Sequence, residues 1–333
     1  MEASKNGAKL VAFPEVYVPG YPHWLQLDSP ERSFPFFKKL FEESVVIPSR
    51  ATDGLCRGAK EADVYVVVGV NEKLSTQMGT MWNTNLIIDH KGNIVGKHRK
   101  VVPTFVEKVV WACGDGSGLR VWETDLGRIG TLICGNNTHC LLKYALIAQG
   151  EQIHVANYPA ARPVGADFRI WNRIRSGANS MEGKVFTITS TSTVNAEMID
   201  MLSQNDEGKR KFMESVNSYS SIIHPLGYTL TEVEDKDEII YADIDISEII
   251  TAKQYHDIVG NYTRTDVVSL NLCQDEDRTV RYTRRSDESI MTGMAELDVW
   301  DQLNEIQQNY KTMMEELKSL SQSIRELKNR EGK

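Results

Sequence analysis

Hydrophobic positions along the chain gather into short runs separated by polar segments. Seven runs are rich in branched apolar residues: "KLVAFPE", "DVYVVVGV", "NTNLIIDHKGNIVG", "RIGTLICG", "QIHVANYP", "KVFTITSTST" and "DEIIYADIDI". Several are apolar throughout, as is typical of strands that are covered on both faces. The third run is interrupted by Lys91 and Gly92, which predicts a hairpin turn.

Three longer segments between these runs have the pattern of helices, at 36–61, 140–149 and 168–184. Strands that alternate with helices indicate an α/β protein, and the hairpin adds antiparallel pairing, so a mixed sheet is expected. A layered sandwich is the arrangement that we expect to cover these strands.

The C-terminal part of the chain has a different pattern. Its apolar residues are spaced alternately three and four apart: Leu303, Ile306, Tyr310, Met313, Leu317, Leu320, Ile324 and Leu327. A period of 3.5 predicts a helix that packs along another helix, from its own or a neighbouring chain. The alternative is an amphipathic helix on the domain's own surface. We therefore divide the chain into a domain at 1–273, a polar linker at 274–294 and an oligomerisation helix at 295–333.

Composition narrows the class of partner. The 333 residues carry a formal net charge of −8, and the basic residues are scattered except for "KHRK" at 97–100. Neither nucleic acid nor an anionic membrane is therefore expected as a partner. No apolar run has the length of a membrane span, and the first residues lack the pattern of a secretory signal. We expect the protein to be cytoplasmic.

The five cysteines are an odd number, widely spread and without a CxxC pair, which fits neither a disulfide framework nor a zinc site. Cys134 lies in "TLICGNNTHCLLKY", where it ends a strand-like run and precedes Gly135. Its sulfur would then stand at the carboxyl end of a strand, where α/β sheets place their active sites. A cysteine in such a place is more commonly a small buried apolar residue. Cys140, six residues further on, is interpreted as a packing residue.

Two other stretches carry groups that a cysteine nucleophile needs. Glu15 follows the apolar run "KLVAF" and Pro14, and it precedes a Pro-Gly-Tyr-Pro turn. Lys100 and Glu107 follow the predicted hairpin. Taken alone, Glu15 would be interpreted as a solvated loop carboxylate. Lys100 and Glu107 would be interpreted as charges at a hairpin edge. The order Glu, Lys, Glu, Cys makes the set informative.

With these residues in view, the chain resembles the nitrilase branch of the carbon–nitrogen hydrolases from residue 1 to about Cys273. The matching stretches are "FPE" with "PGYPHW", "HRKVVPT" with "WACGDG", "ICG" with "LIAQGEQIHVANYP", "EGKVFTITS", and "DIVGNYTRTDVVSLNL". The resemblance implies a four-layer αββα sandwich and a Glu–Lys–Cys site with a second glutamate. It also implies hydrolysis of a carbon–nitrogen bond without a metal or other cofactor.

The resemblance assigns a role to each matched residue. Glu15 matches the general base and Cys134 the nucleophile. Lys100 matches the cation that stabilises the tetrahedral intermediate, and Glu107 the carboxylate that orients the site. A cysteine beside an ammonium and a carboxylate is expected to gain thiolate character.

The pocket around this site is expected to involve five further residues: Tyr21, Trp111, Gly135, Asn136 and Tyr158. The backbone N–H that follows the nucleophile, on Gly135, is a second donor for negative charge on the substrate.

Three departures from the family pattern concern the start of the chain, the nucleophile loop and the C-terminus. The family's domain normally opens with a strand and most of a helix before the segment at Met1, so a central strand is expected to be missing. Asn136 stands where similar nitrilases carry glutamate; it either favours release of an amide product or only completes a hydrogen-bond network. The tail lies outside the resemblance and is interpreted as an assembly device, which gives a homo-oligomer, a dimer or larger.

The sequence therefore predicts a nitrilase that hydrolyses a small organic nitrile to the carboxylic acid and ammonia through a thioimidate and a thioester. An amidase, or a nitrile-hydrating enzyme that releases the amide, is the alternative on the same site. An inactive oligomerising relative is the alternative from another class.

Overall fold

The computed structural model describes residues 1–162 and 167–276, which form two sheets and the helices around them. The strands are β1 Leu10–Ala12, β2 Tyr65–Lys73, β3 Met81–Ile88, β4 Ile94–Arg99, β5 Trp122–Thr124, β6 Gly127–Ile133, β7 Ile153–Tyr158, β8 Phe186–Thr191, β9 Tyr219–Ile223 and β10 Thr229–Glu234. The α-helices are α1 Glu2–Lys5, α2 Phe34–Glu43, α3 Arg50–Ala62, α4 Cys140–Ala148, α5 Phe168–Gly183, α6 Ala196–Ser203, α7 Glu207–Glu214 and α8 Glu248–Tyr255. Short 3-10 helices cover His23–Gln26, Phe105–Val109, Gly116–Gly118 and Cys134–Thr138.

The first sheet has the order β1-β2-β3-β4, and the second has the order β10-β9-β8-β7-β6-β5. β1 is parallel to β2, whereas β2, β3 and β4 form an antiparallel meander. β6, β7 and β8 are parallel, and β9 and β10 continue that sheet in antiparallel pairing. Both sheets are therefore mixed, as the sequence predicts.

The two faces of β2 pack against different layers because successive side chains point to opposite sides of a strand. Val66 and Val68 pack against Ala59 and Ala62 of α3. Val67 faces the other way and packs against residues of β6 and β7 in the second sheet. On the outer side of the second sheet, residues of β6 pack with α4, and α5 lies against β8 and β9. Helices thus flank two facing sheets, which confirms the predicted four-layer sandwich.

The predicted hairpin is confirmed. β3 and β4 pair in antiparallel register, and the turn between them closes through the Gly92 N–H, which donates to the Asp89 carbonyl at 3.0 Å. Gly92 has a φ of +84°, a conformation that glycine adopts without steric cost.

Two secondary-structure predictions are wrong. The single helix expected at 36–61 is two helices, α2 and α3, because Pro48 cannot continue a helix and Ser49 caps the start of α3; between them Val45 bridges to Glu72 of β2. The run at 237–246 forms no strand. Ile244 and Ile246 still pack into the core between the sheets. The apolar pattern of this run therefore indicates buried side chains and not a paired strand.

Nearly all of the predicted linker, from residue 277, and the whole predicted oligomerisation helix lie outside the described residues. Within the described residues, no helix is long and apolar enough to cross a bilayer.

Candidate active site

Glu15 is placed by the chain as it leaves β1. The backbone passes directly over Gly69 of β2, where a Cβ atom would stand 2.3 Å from the Val16 nitrogen. Any larger residue at Gly69 would push this loop away. The Asn157 side chain of β7 donates to the Phe13 carbonyl and ties the same segment to the second sheet. Glu15 is consequently held between the two sheets, with 1% of its surface exposed.

Lys100 follows β4 and its ammonium group lies between two carboxylates. Nζ is 2.8 Å from Oε1 of Glu15 and 2.6 Å from Oε2 of Glu107. The backbone N–H of Lys100 donates to the Asn83 carbonyl, which continues the pairing of β4 with β3. The three charged groups are all buried, so their mutual contacts are screened little by solvent.

Glu107 lies in the 3-10 helix Phe105–Val109 and is fixed by two donors in addition to the lysine. The Thr104 backbone N–H donates to Oε2 at 2.6 Å, and the Tyr21 hydroxyl donates to Oε1 at 2.9 Å. Both oxygens of Glu107 are thus bonded, and its carboxylate is held in place against the Lys100 ammonium.

Cys134 ends β6 and opens the 3-10 helix Cys134–Thr138. Its φ of +48° lies in the left-handed region, which is unfavourable for a residue with a side chain. Its sulfur and one carboxylate oxygen each of Glu15 and Glu107 lie within 4.8 Å of one another. The structure therefore brings together Glu15, Lys100, Glu107 and Cys134, which come from three separate stretches of the sequence.

Comparison with known proteins agrees with this arrangement. The family model for carbon-nitrogen hydrolases matches residues 1–254. The chain belongs to the carbon–nitrogen hydrolase family. It is a hydrolase that acts on carbon–nitrogen bonds.

Relatives of this hydrolase include enzymes named nitrilases. The chain is 37% identical over 280 residues to an aliphatic nitrilase of Rhodococcus rhodochrous, which covers 82% of this chain and 75% of that protein. It is 33% identical over 295 residues to a nitrilase of Bacillus sp. (strain OxB-1), with 87% and 86% covered. A crystal structure of a carbon-nitrogen hydrolase from Helicobacter pylori G27 aligns with a TM-score of 0.61 at 19% identity, over 80% of this chain and 87% of that one. The last comparison concerns the fold alone.

Burial and the surrounding charges set the protonation of the hydrolase's charged groups. Burial raises the pKa of Glu15 from 4.5 to about 7, against the attraction of Lys100 and with a further contribution from Glu107. Burial opposes the charge of Lys100, but Glu107 and Glu15 outweigh it and hold the pKa well above its usual value. One ammonium faces two carboxylates, so the carboxyl group of Glu15 gains and loses its proton near neutral pH.

Cys134 differs from the expectation of thiolate character. Burial, followed by the charge of Glu15, raises the pKa of the thiol far above its ordinary value, and the opposing effect of Lys100 is smaller. The expectation is therefore wrong for the resting hydrolase. The site holds a protonated thiol beside a carboxyl group.

The proximity of Glu15, Glu107 and Cys134 gives a group of side chains that could ligate a metal ion. The ammonium of Lys100 already bonds both carboxylates, so the negative charge that would attract a cation is largely compensated. The donor set does not fit a metal ion.

Three of the five predicted pocket residues surround the charged groups. Tyr21 bonds Glu107, and its ring meets Trp111 edge-on at 5.8 Å. Trp111 lies with its ring centre 5.9 Å from Lys100 Nζ and donates to Asn71 at 2.6 Å. Tyr158 ends β7 and packs in one apolar cluster with Cys134.

Gly135 and Asn136 are positioned by the loop that follows Lys100. A Cβ on Gly135 would approach the Thr104 hydroxyl to 2.5 Å, so this position favours glycine. The Asn136 amide donates to the Val102 carbonyl at 2.8 Å and accepts from the Val102 N–H at 3.3 Å. Both ends of this amide are thus engaged by one backbone residue, which supports the hydrogen-bond-network interpretation of Asn136.

Sequence analysis missed two residues that contact this site. Asn83 of β3 donates to Oε1 of Glu15 at 2.5 Å. Arg175 of α5 lies over the ring of Tyr158, with 5.9 Å between its guanidinium carbon and the ring centre, and its charge partly offsets the raised pKa of Cys134. A polar residue within the apolar run "NTNLII" was a usable signal for Asn83. Arg175 gave none, because helix packing alone brings it to the site. Cys140, interpreted from sequence as a packing residue, is exposed.

Proposed function

We propose that this hydrolase is a nitrilase that converts an organic nitrile and two water molecules into a carboxylic acid and ammonia. One observation carries the proposal: Oε2 of Glu15 is buried and has no hydrogen-bond partner among the described residues, while Oε1 is held by Lys100 and Asn83. An unengaged carboxyl oxygen beside a neutral thiol is what a proton acceptor for Cys134 requires.

The first half of the reaction forms a thioimidate. Cys134 Sγ attacks the nitrile carbon as its proton passes to Glu15, and Glu15 gives that proton to the nitrile nitrogen. The negative charge that develops on the nitrogen is stabilised by the Lys100 ammonium and by the Gly135 N–H. The carbon now carries Sγ and an imine nitrogen, and Glu15 is again ionised.

The second half consumes the water molecules. Glu15 takes a proton from the first water as its oxygen adds to the carbon, and gives that proton to the nitrogen, which becomes an amine. Glu15 then carries the proton of the new hydroxyl group to this amine as the carbon–nitrogen bond breaks, so that ammonia leaves and a thioester carbonyl forms. The resulting thioester is attacked by the second water, again with Glu15 as base. The carbon–sulfur bond breaks, and the carboxylic acid and the Cys134 thiol are released. An amide substrate would join this sequence at the tetrahedral stage that precedes ammonia loss.

The names of the relatives support a nitrile as the substrate, and the engaged amide of Asn136 supports the acid as the product. Asn136 bonds Val102, so its polar atoms already have partners other than a reacting nitrogen. Because Asn136 does not bond the departing nitrogen, Glu15 decides whether ammonia or the Cys134 sulfur leaves the tetrahedral intermediate.

The test is incubation of the protein with a panel of aliphatic, arylaceto- and aromatic nitriles and their amides. Ammonia and organic product are measured together, and we expect equal amounts of acid and ammonia from at least one nitrile. Amide without ammonia would make the protein a nitrile-hydrating enzyme. Ammonia from the amides alone would make it an amidase, and no product from any compound would favour the inactive relative.

We also propose that the segment at 295–333, with its apolar spacing of 3.5, joins subunits of the enzyme. Truncation after Met294 is then expected to lower the molar mass of the assembly in light scattering, because the apolar stripe that would pack against another chain is removed. Turnover per active site is the control for an intact domain. The same subunit number with and without the segment would contradict the proposal.

A further inference from the structure

Three buried polar side chains form a continuous chain behind the loop that carries Cys134. Glu151 Oε1 is 2.7 Å from His154 Nδ1, and His154 Nε2 is 2.8 Å from Asn137 Oδ1. Asn137 Nδ2 donates to the backbone carbonyls of Leu132 and Cys134, both at 3.1 Å. At most 2% of any of the three side chains is exposed. The proposed mechanism uses none of them.

The positions of the protons follow from the carbonyl groups. Carbonyl oxygens only accept, so Asn137 must turn its NH₂ group toward Leu132 and Cys134 and its oxygen toward His154. That oxygen accepts from Nε2 of His154, which therefore carries a proton. A second proton is shared between Nδ1 and Glu151. The acid and the imidazole together are thus neutral, and the histidine donates to Asn137 in either arrangement of the shared proton.

Glu151 is the hydrogen-bond partner of the histidine ring at Nδ1. Its Oε2 is buried without a hydrogen-bond partner among the described residues, and its Oε1 bonds His154. The neighbouring strand leaves space for it: a Cβ on Gly130 of β6 would stand 2.0 Å from Oε1. Burial of an unpaired carboxyl group costs free energy. The bond to His154 therefore accounts for the buried position of Glu151 and indicates that Glu151 orients the imidazole.

The end of this chain fixes one peptide group. Cys134 is held with a φ of +48°, which surrounding contacts must maintain. Its peptide bond to Gly135 is not among the cis bonds, so the Cys134 carbonyl and the Gly135 N–H point in opposite directions. A hydrogen bond that fixes the carbonyl therefore fixes the direction of the N–H as well.

We propose that Glu151, His154 and Asn137 form a positioning relay that orients the Gly135 N–H toward the developing negative charge of the intermediate. This rests on the proposed function, in which that N–H is a donor. The relay does not touch substrate and acts only through the peptide between Cys134 and Gly135.

The test compares Asn137→Ala and His154→Ala with His224→Ala, a matched control. His224 is also buried and bonds a glutamate, Glu248, at 2.6 Å, but it follows β9 and is not in the relay. Loss of the relay is expected to lower kcat about 10- to 100-fold with little change in KM. Glu151→Gln should keep most of the turnover, because its amide can still donate to Nδ1 and leave the proton on Nε2.

Two readouts separate the relay from a general loss of structure. Alkylation of Cys134 by iodoacetamide requires the sulfur but creates no charge that the Gly135 N–H would stabilise, so its rate should be unchanged. The double variant Asn137→Ala/His154→Ala should be no slower than the slower single variant, because both changes remove the same hydrogen bond to the peptide. Parallel loss of alkylation and turnover, multiplied losses in the double variant, or full turnover in folded Asn137→Ala would each overturn the relay.

If alanine prevents folding, Asn137→Asp keeps the size but cannot donate to both carbonyls, and is expected to lose turnover as Asn137→Ala would. The relay is also tested without turnover, by the ring-proton resonances of isotope-labelled histidine. The Nε2 proton of His154 should exchange slowly in the wild type and rapidly in Asn137→Leu, whose side chain is of similar size but has no acceptor for that proton. Slow exchange in both would overturn the relay. A wild type without turnover would contradict the proposed function, and these resonances would then decide the relay separately.

Discussion

Replacement of Cys134 by alanine is expected to lower kcat for nitrile hydrolysis by about 10⁴- to 10⁶-fold, the loss that follows removal of a covalent nucleophile. The reason is geometric, since Sγ is the nucleophilic atom that lies within 4.8 Å of carboxylate oxygens of both glutamates. The measurement is ammonia release under saturating nitrile. Peptide mass mapping after treatment with iodoacetamide confirms that position 134 is no longer alkylated, because the exposed Cys113, Cys140 and Cys273 also react.

Cys140→Ala is the matched control for this loss. Cys140 is six residues further along the same loop and helix, but it is exposed. Its removal should leave turnover unchanged. Undiminished ammonia release from Cys134→Ala would contradict the role of Cys134, and equal losses in the two variants would point to damage of the loop.

The second large effect concerns Glu15 and pH. Burial raises the pKa of Glu15 to about 7, and the base must be ionised to accept the thiol proton. The ionised fraction falls as pH decreases through this value, so kcat/KM should decline about tenfold per pH unit below pH 7. An ordinary glutamate with a pKa near 4.5 would place this limb more than two units lower. The profile of kcat/KM between pH 5 and pH 9 reports the titration of the free enzyme, so it distinguishes the raised pKa of Glu15 from that of an ordinary glutamate.

Glu15→Gln should lower kcat by about 10²- to 10⁴-fold and remove the acidic limb, because glutamine cannot exchange a proton. Asn83→Leu tests the same group differently. The hydrogen bond from Asn83 lowers the pKa of Glu15, so its removal should move the limb to higher pH. A limb that persists unchanged in Glu15→Gln would assign the titration to another group.

Sequence alone was sufficient for much of the fold. Apolar runs in β2, β3, β6, β7 and β8 and the turn at Gly92 were readable because each depends on local spacing and on a local backbone preference. The break between α2 and α3 had local signals that were overlooked: Pro48 cannot continue a helix, and Ser49 with Thr52 forms the capping box that begins α3. The run at 237–246 was not readable, because a strand exists only where another strand is placed to pair with it.

For the site, the sequence determined which side chains are available and, through the order Glu15, Lys100, Glu107 and Cys134, the family that the chain belongs to. Only the tertiary structure decided which of these side chains meet and how burial changes their pKa values. Glu15 and Lys100 are 85 positions apart, and assembly of the first sheet, in which they follow β1 and β4, brings their side chains within 2.8 Å of each other. The pKa of Cys134 is raised rather than lowered because burial, which no sequence spacing records, outweighs the neighbouring ammonium. The bonds of Asn136 to Val102 and of His154 to Asn137 are likewise products of packing, since their partners come from segments that meet only in the folded chain.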